Sequence, residues 1–185
     1  MKSASHQTLG RYLVKEFLED APRRYIRAFL IGCIEPDRNP ATYFKGSIRS
    51  QWLRGHNWGN SRNYINRLTL RLERRKNLHI WDFYSLGKLI HYTTDAFTDA
   101  HNSRFTTDLS VHNSYEQKLQ EYFLRFMATD PSPVIDRRGT MMGSISAFHH
   151  DYLRLPGNAH TDTEFTLTAC CTVMSILFAP RRCLA

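Results

Sequence analysis

Eight side chains in this sequence are of types that hold metal ions, and their spacing groups them. His91 and Asp95 stand four residues apart, which sets both on one face of a helix and lets them converge on one ion. His101 follows six residues after Asp95, His112 eleven after that, and Glu116 four further on, again one helical face. The pattern is H-x3-D-x5-H followed by H-x3-E. Asp37 in Glu-Pro-Asp and His56 in Arg-Gly-His-Asn-Trp add two donors from a polar stretch, and His6 lies near the start of the first predicted helix. Neutral imidazole and carboxylate are the donors that borderline-soft zinc accepts. Each fragment alone has an ordinary account. His112 and Glu116 could be an exposed i, i+4 pair, Asp37 a turn residue after proline, and His6 a solvated side chain. Only the assembly points to a metal cluster. His79, His149, His150 and His160 do not fit it and read as structural or surface residues.

The elements that must position these donors read as helices almost throughout. Leu9, Tyr12, Leu13, Phe17 and Leu18 recur at helical spacing after Ser5, which predicts a helix capped there. Asp20-Ala21-Pro22 breaks it and opens a second, through Ile26, Phe29 and Leu30 to about Ile34. Glu35 to Asn60 reads as irregular, punctuated by Pro36, Pro40, Gly46, Gly55 and Gly59. A loop of that length inside a compact domain is usually functional. Ser61 predicts the cap of a helix to about Lys76, and a central helix runs from about Ile80 to Thr98. Asp99 to Asn113 is irregular, and further helices cover Tyr115–Ala128, Met141–Leu153 and Thr163–Phe178. Nothing alternates with period two, and no glycine-rich phosphate loop follows a strand. The expectation is an all-α fold, a compact multi-helix single domain over residues 1–185.

Composition narrows the class of function. The chain has 185 residues, 42% hydrophobic and 23% charged, which excludes a disordered, collagen-like or multi-span membrane chain. Twenty-five Lys and Arg against 17 Asp and Glu leave a net charge of +8, which draws anionic partners: lipid head groups, nucleic acid or phosphate esters. The excess sits in Arg23-Arg24, Arg71 with Arg74-Arg75-Lys76, Arg137-Arg138 and Arg181-Arg182. Such clusters are usually solvated faces, and they favour an anionic membrane surface. Cys33, Cys170, Cys171 and Cys183 show no C-x-x-C spacing, so no thiolate zinc site is expected. The apolar run Leu167 to Ala179 is too short to cross a bilayer as a helix and reads as a buried one.

The ordered set His6, Asp37, His56, His91-x3-Asp95-x5-His101, His112-x3-Glu116 resembles the bacterial zinc-dependent phospholipases C over roughly residues 5 to 120. The most specific stretches are Gly-Lys-Leu-Ile-His-Tyr-Thr-Thr-Asp-Ala-Phe-Thr-Asp-Ala-His-Asn (87–102) and Gly-His-Asn-Trp-Gly-Asn-Ser (55–61), which match the shorter branch of that family. The resemblance implies an all-helical domain holding two to three zinc ions. Asp37, His56, His91 and Asp95 would hold one ion. His101, His112 and Glu116 would hold a second, and His6 with a bridging Asp95 a third. Secreted members complete the third with the amine and carbonyl of an N-terminal Trp, and this chain begins Met-Lys-Ser-Ala-Ser. Asp37 is the residue expected to orient or deprotonate the attacking water, with Glu116 the next candidate. Asn102 is expected to support the site. Tyr43, Phe44, Trp52 and Trp58 are the aromatics able to line a head-group pocket, since aromatics attract quaternary ammonium; ordinary loop packing is the simpler account of them.

The function implied is cleavage of a phospholipid, or a related phosphodiester, to diacylglycerol and a phosphorylated head group. A zinc nuclease on single-stranded nucleic acid is the alternative. It ranks second because the last ligand pair here is His112-x3-Glu116, whereas those nucleases usually carry His-x3-Asp. A non-catalytic zinc protein that binds a membrane or a partner is the third reading. Three-donor sites such as His101, His112 and Glu116 leave a coordination position open and favour catalysis. No apolar leader segment opens the chain, which reads as cytoplasmic, while the family resemblance implies secretion.

Overall fold

The computed structural model describes residues 1–39, 56–105 and 108–178. Its helices are α1 (Ser3–Phe17), α2 (Arg23–Arg38), α3 (Trp58–Glu73), α4 (Ile80–Ala96), α5 (Leu109–Met127), α6 (Met141–Leu153) and α7 (Ala159–Phe178), with a short 3-10 turn at Asp99–His101 after α4. No strand occurs among the described residues, so the architecture is the all-α one expected. Tyr43, Phe44, Trp52, Cys183 and Arg181-Arg182 lie outside the described residues.

α4 is the axis. From Asp82 to Ala96 every residue except Tyr84 and Lys88 is buried, because α1, α2, α3 and α7 all pack against it. The α2–α4 contact depends on two glycines. A Cβ at Gly32 would collide with the Tyr84 carbonyl, and one at Gly87 with the Phe29 carbonyl. Backbone therefore meets backbone, and the Cys33 carbonyl comes within 2.9 Å of His91 Nδ1. Leu86, Leu89, Ile90 and Tyr92 are fully buried around this contact. Each such side chain contributes about 1.5–3 kcal/mol, which offsets the cost of keeping His91 and Asp95 dry.

Several boundaries differ from the sequence expectation, each for a local reason. α2 runs on to Arg38 through Pro36. A proline one turn from a helix end forfeits a single N–H bond, and the packing against α4 holds that turn. Asp37 is thus on a helix and not in a loop. α3 begins at Trp58 after Asn57, and Ser61 is not its cap: its hydroxyl donates back to the Asn57 carbonyl at 3.0 Å. α1 starts at Ser3, leaving Ser5 buried inside it. α5 starts at Leu109, where Asp108 accepts from the Ser110 and Val111 N–H groups, so His112 is already helical. α7 starts at Ala159, with Asn158 accepting from Thr161 N, so His160 is helical. Cys33, Cys170 and Cys171 are buried free thiols. Among the described residues no helix is long and apolar enough to cross a membrane.

Candidate metal centre

The eight donors come from four helices, α1 (His6), α2 (Asp37), α4 (His91, Asp95) and α5 (His112, Glu116), from the 3-10 turn (His101) and from the residues just before α3 (His56), and they meet at one end of α4. Three groups have ligand atoms within 4.8 Å of one another: His6, His91 and Asp95; Asp37, His56 and His91; and His101, His112 and Glu116.

Asp95 is the hub, and it is fully buried. Its Oδ2 lies 2.9 Å from His56 Nδ1 and 3.2 Å from His91 Nε2. Its Oδ1 lies 3.3 Å from His6 Nε2 and 3.5 Å from His101 Nδ1. The two oxygens of one carboxylate thus face different histidines, the disposition of a bridging ligand. His91 Nδ1 donates to the Cys33 carbonyl, and that bond sets the tautomer, leaving the Nε2 lone pair aimed inward. Asp37 completes this side: its Oδ1 is 3.6 Å from His91 Nε2 and 3.9 Å from His56 Nδ1, while Ser3 Oγ donates to its Oδ2 at 2.5 Å.

The second cluster is looser and more open. His101 Nε2 is 3.1 Å from Glu116 Oε1, and His112 Nε2 is 3.8 Å from the same oxygen. The imidazoles of His101 and His112 stack at 5.5 Å. Between the clusters stands the backbone of Met1. Its nitrogen is 2.9 Å from Asp95 Oδ1 and 3.0 Å from Glu116 Oε1, and its carbonyl oxygen is 3.1 Å from His6 Nε2.

The electrostatics follow from three carboxylates and five imidazoles packed into little space. Burial alone would raise the Asp95 pKa, but the Met1 amine, His101 and His91 outweigh it and hold the carboxyl well below the usual carboxylate range. Glu116 is held down in the same way, mainly by the Met1 amine and His101 against burial. Burial would also lower the Met1 amine, and Asp95 and Glu116 instead push it up to about 11. Burial first, and His91 second, take His6 down to about 4, which leaves it in the neutral form a metal requires. His101 moves upward despite burial, because Asp95 and Glu116 face it. Its Nδ1 and that of His6 are buried without a hydrogen-bond partner. The orphaned nitrogen of His101 lies 3.5 Å from Asp95 Oδ1, a disposition that fits a bound cation, and the nitrogen and oxygen donor set fits zinc.

Residues outside the eight hold the cluster in place, and sequence patterning misses most of them. Asn102 donates to the Ala96 and Thr98 carbonyls at 3.0 Å each, closing the end of α4, and its Oδ1 meets His149 Nε2 at 2.9 Å. His149 is buried, and the Trp58 ring stacks on it at 4.1 Å. Its sequence signal is its place on the buried α6 face that carries Ile145 and Tyr152. Asp162 of α7 accepts from Asp99 N, Tyr115 OH and Tyr152 OH at 2.8–2.9 Å. It thereby ties the turn carrying His101 to the helix carrying Glu116. The Cys33 carbonyl and the Met1 backbone have no side-chain signature.

A family model described as zinc-dependent phospholipase C matches residues 5–173, a span that contains all eight donors and both supporting networks. Neither the curated proteins nor the solved structures contain a match to the chain. The match covers most of the sequence, so the chain belongs to the zinc-dependent phospholipase C family.

Proposed function

We propose that the chain is a zinc-dependent phosphodiesterase that cleaves a phospholipid to diacylglycerol and a phosphorylated head group. The observation that carries this reading is the convergence of three donor groups around the two oxygens of Asp95, in a chain whose family depends on zinc. Asp37, His56, His91 and Asp95 would hold one ion, and His101, His112 and Glu116 a second. His6 and the bridging Asp95 would hold a third. When bound, zinc supplies Lewis acidity toward the phosphodiester oxygens and toward water.

The remaining work falls to the chain. Asp37 has one oxygen tied to Ser3 and the other facing His91 and His56, so its carboxylate stands at the ion site, where it would take a proton from the attacking water. That water's oxygen bonds to phosphorus, the bond from phosphorus to the diacylglycerol oxygen breaks, and the proton that Asp37 took up passes to that departing oxygen. Glu116, with its Oε1 facing His101 and His112, is the alternative proton carrier. The Cys33 carbonyl keeps His91 in one tautomer throughout.

The test is a hydrolysis time course with and without a chelator, on phosphatidylcholine, phosphatidylinositol and phosphatidylglycerol vesicles beside single-stranded DNA and RNA. Chelator-sensitive release of phosphorylated head group, restored by zinc, is the expected result. Nucleic-acid cleavage without lipid turnover would make the protein a nuclease, and turnover of neither would leave a non-catalytic zinc protein.

A further inference from the structure

The second donor cluster is the open side of the metal centre. His101, His112 and Glu116 keep side-chain surface in contact with solvent, whereas His91 and Asp95 keep none. Four large apolar side chains stand exposed beside it. Leu109 and Val111, in the first turn of α5 ahead of His112, are 74% and 47% exposed, and Leu153 and Leu155, at the end of α6, are 42% and 44% exposed. None of the four belongs to the hydrophobic core. The segment after His101 joins the two pairs. Phe105 meets the His112 ring edge-on at 6.2 Å, and its neighbour Arg104 donates to the Leu153 and Leu155 carbonyls at 3.0 and 2.7 Å. Arg104 is itself held by Asp99, and a Cβ at Gly157 would collide with the Asp99 carboxylate, so the loop is fixed with both leucines at the surface. Single exposed leucines are ordinary. Four beside one opening, held there by a hydrogen-bonded frame, mark an interaction surface.

The charges among them choose the partner. Arg154 stands exposed between the two leucines, and no carboxylate among the described residues pairs with it. The carboxylates of these segments are taken up: Asp99 pairs with Arg104, and Asp108 accepts from the first turn of α5. An apolar rim carrying an unpaired guanidinium matches a phospholipid surface, where acyl chains receive leucines and phosphates receive arginine at the end of its long stem. We propose that this rim docks the protein on a phospholipid bilayer, with the second donor cluster facing the lipid. The choice of lipid as occupant rests on the phospholipase reading. Trp81, 70% exposed, is the competing apolar feature. It stands at the other end of α4, about 20 Å along the helix from Asp95, and docking there would turn the donors away from the lipid.

Zinc-loaded wild type and variants are sedimented with vesicles of equimolar phosphatidylcholine and phosphatidylglycerol. Their hydrolysis of those vesicles is compared with that of dihexanoyl phosphatidylcholine and phosphatidylglycerol held below the micelle concentration, and zinc content and thermal midpoint are measured on each. The wild type should sediment with the vesicles. The double variant Leu109→Ser, Leu155→Ser changes neither a donor nor the core. It should weaken vesicle binding about tenfold or more, because each leucine forfeits apolar burial among the acyl chains. The ratio of vesicle to monomer hydrolysis should fall with it, while zinc and midpoint are kept. Arg154→Gln should weaken binding about fivefold, and Trp81→Ala should bind as the wild type does. A wild type that does not sediment, or a double variant that binds vesicles as tightly as the wild type, would overturn the docking surface. Loss of binding in Trp81→Ala alone would put the lipid at the other end of α4 and overturn it too. Binding that follows the expected order with no hydrolysis of any lipid would remove the phospholipase reading and leave the docking surface standing.

Discussion

Asp95 and Asp162 are both fully buried carboxylates, and their surroundings push them in opposite directions. Around Asp95 stand four imidazoles, those of His6, His56, His91 and His101, and the cationic Met1 amine, and against burial these hold its pKa far down. Around Asp162 stand one backbone N–H and two phenols. These are neutral donors that saturate the carboxylate, and burial prevails over them to raise its pKa to about 6. Burial pushes both groups the same way. The neighbours decide the outcome, and so separate the carboxylate proposed to hold an ion from one that clamps helices together.

Asp95→Asn should break the first half of that contrast with the largest effect. One substitution touches all the imidazoles that face it, so zinc by elemental analysis should fall well below the wild-type content. Hydrolysis should fall by about 10³-fold, since even partners one bond removed from a metal are worth about 10–100-fold. An Asp95→Asn protein with full zinc and full turnover would remove the hub from the site.

The second half is read through pH. Asp162 has a folded pKa of about 6 against an ordinary 3.8. A raised carboxyl pKa means that its contribution to stability is fully present below about pH 3.8 and is lost as pH rises through about 6. Asn at that position does not titrate. It can turn its amide oxygen toward Asp99 N and Tyr115 OH while its NH₂ donates to Tyr152. Relative to wild type, Asp162→Asn should therefore gain about 2 kcal/mol between pH 4 and pH 7, since each tenfold change in a proton-binding equilibrium is worth about 1.4 kcal/mol. Urea denaturation of both proteins at the two pH values measures it, and a difference that stays constant would show that Asp162 does not titrate as its burial requires.

The two carboxylates are unequally legible in the sequence. Asp95 stands out because its partners recur at chelating intervals on predicted helices, and such spacing survives any error in where a helix ends. That is why the pairing of His112 with Glu116 is legible even though α5 starts six residues earlier than its periodicity indicates, whereas Asp37 is read only as a donor in a polar stretch and its place on α2 past Pro36 is not. The helical class is legible for the same reason, from apolar spacing alone. Asp162 leaves no such trace. Its partners lie 10, 47 and 63 residues away, and tertiary bonds of that kind obey no local period. Backbone atoms are invisible to side-chain patterning in principle. The nitrogen and carbonyl of Met1 reach Asp95 and His6 with no signal from the side-chain type.

The smallest predicted effect sharpens the contrast most finely. Tyr115 precedes Glu116, and its hydroxyl donates to Asp162 at 2.8 Å, so it sits where the clamp meets the ligand cluster. Tyr115→Phe keeps the ring and its packing against Phe105 and deletes one neutral donor, a loss of about 1 kcal/mol. Removing a donor from a carboxylate favours its protonated form, so the titration that distinguishes wild type from Asp162→Asn should move above pH 6 in this background. Zinc content should not change, because the backbone bond from Asp99 and the phenol of Tyr152 still hold Asp162 in place. Zinc lost in step with that single hydroxyl would mean the clamp and the metal cluster are one cooperative unit, and the two buried carboxylates could no longer be treated as separate devices.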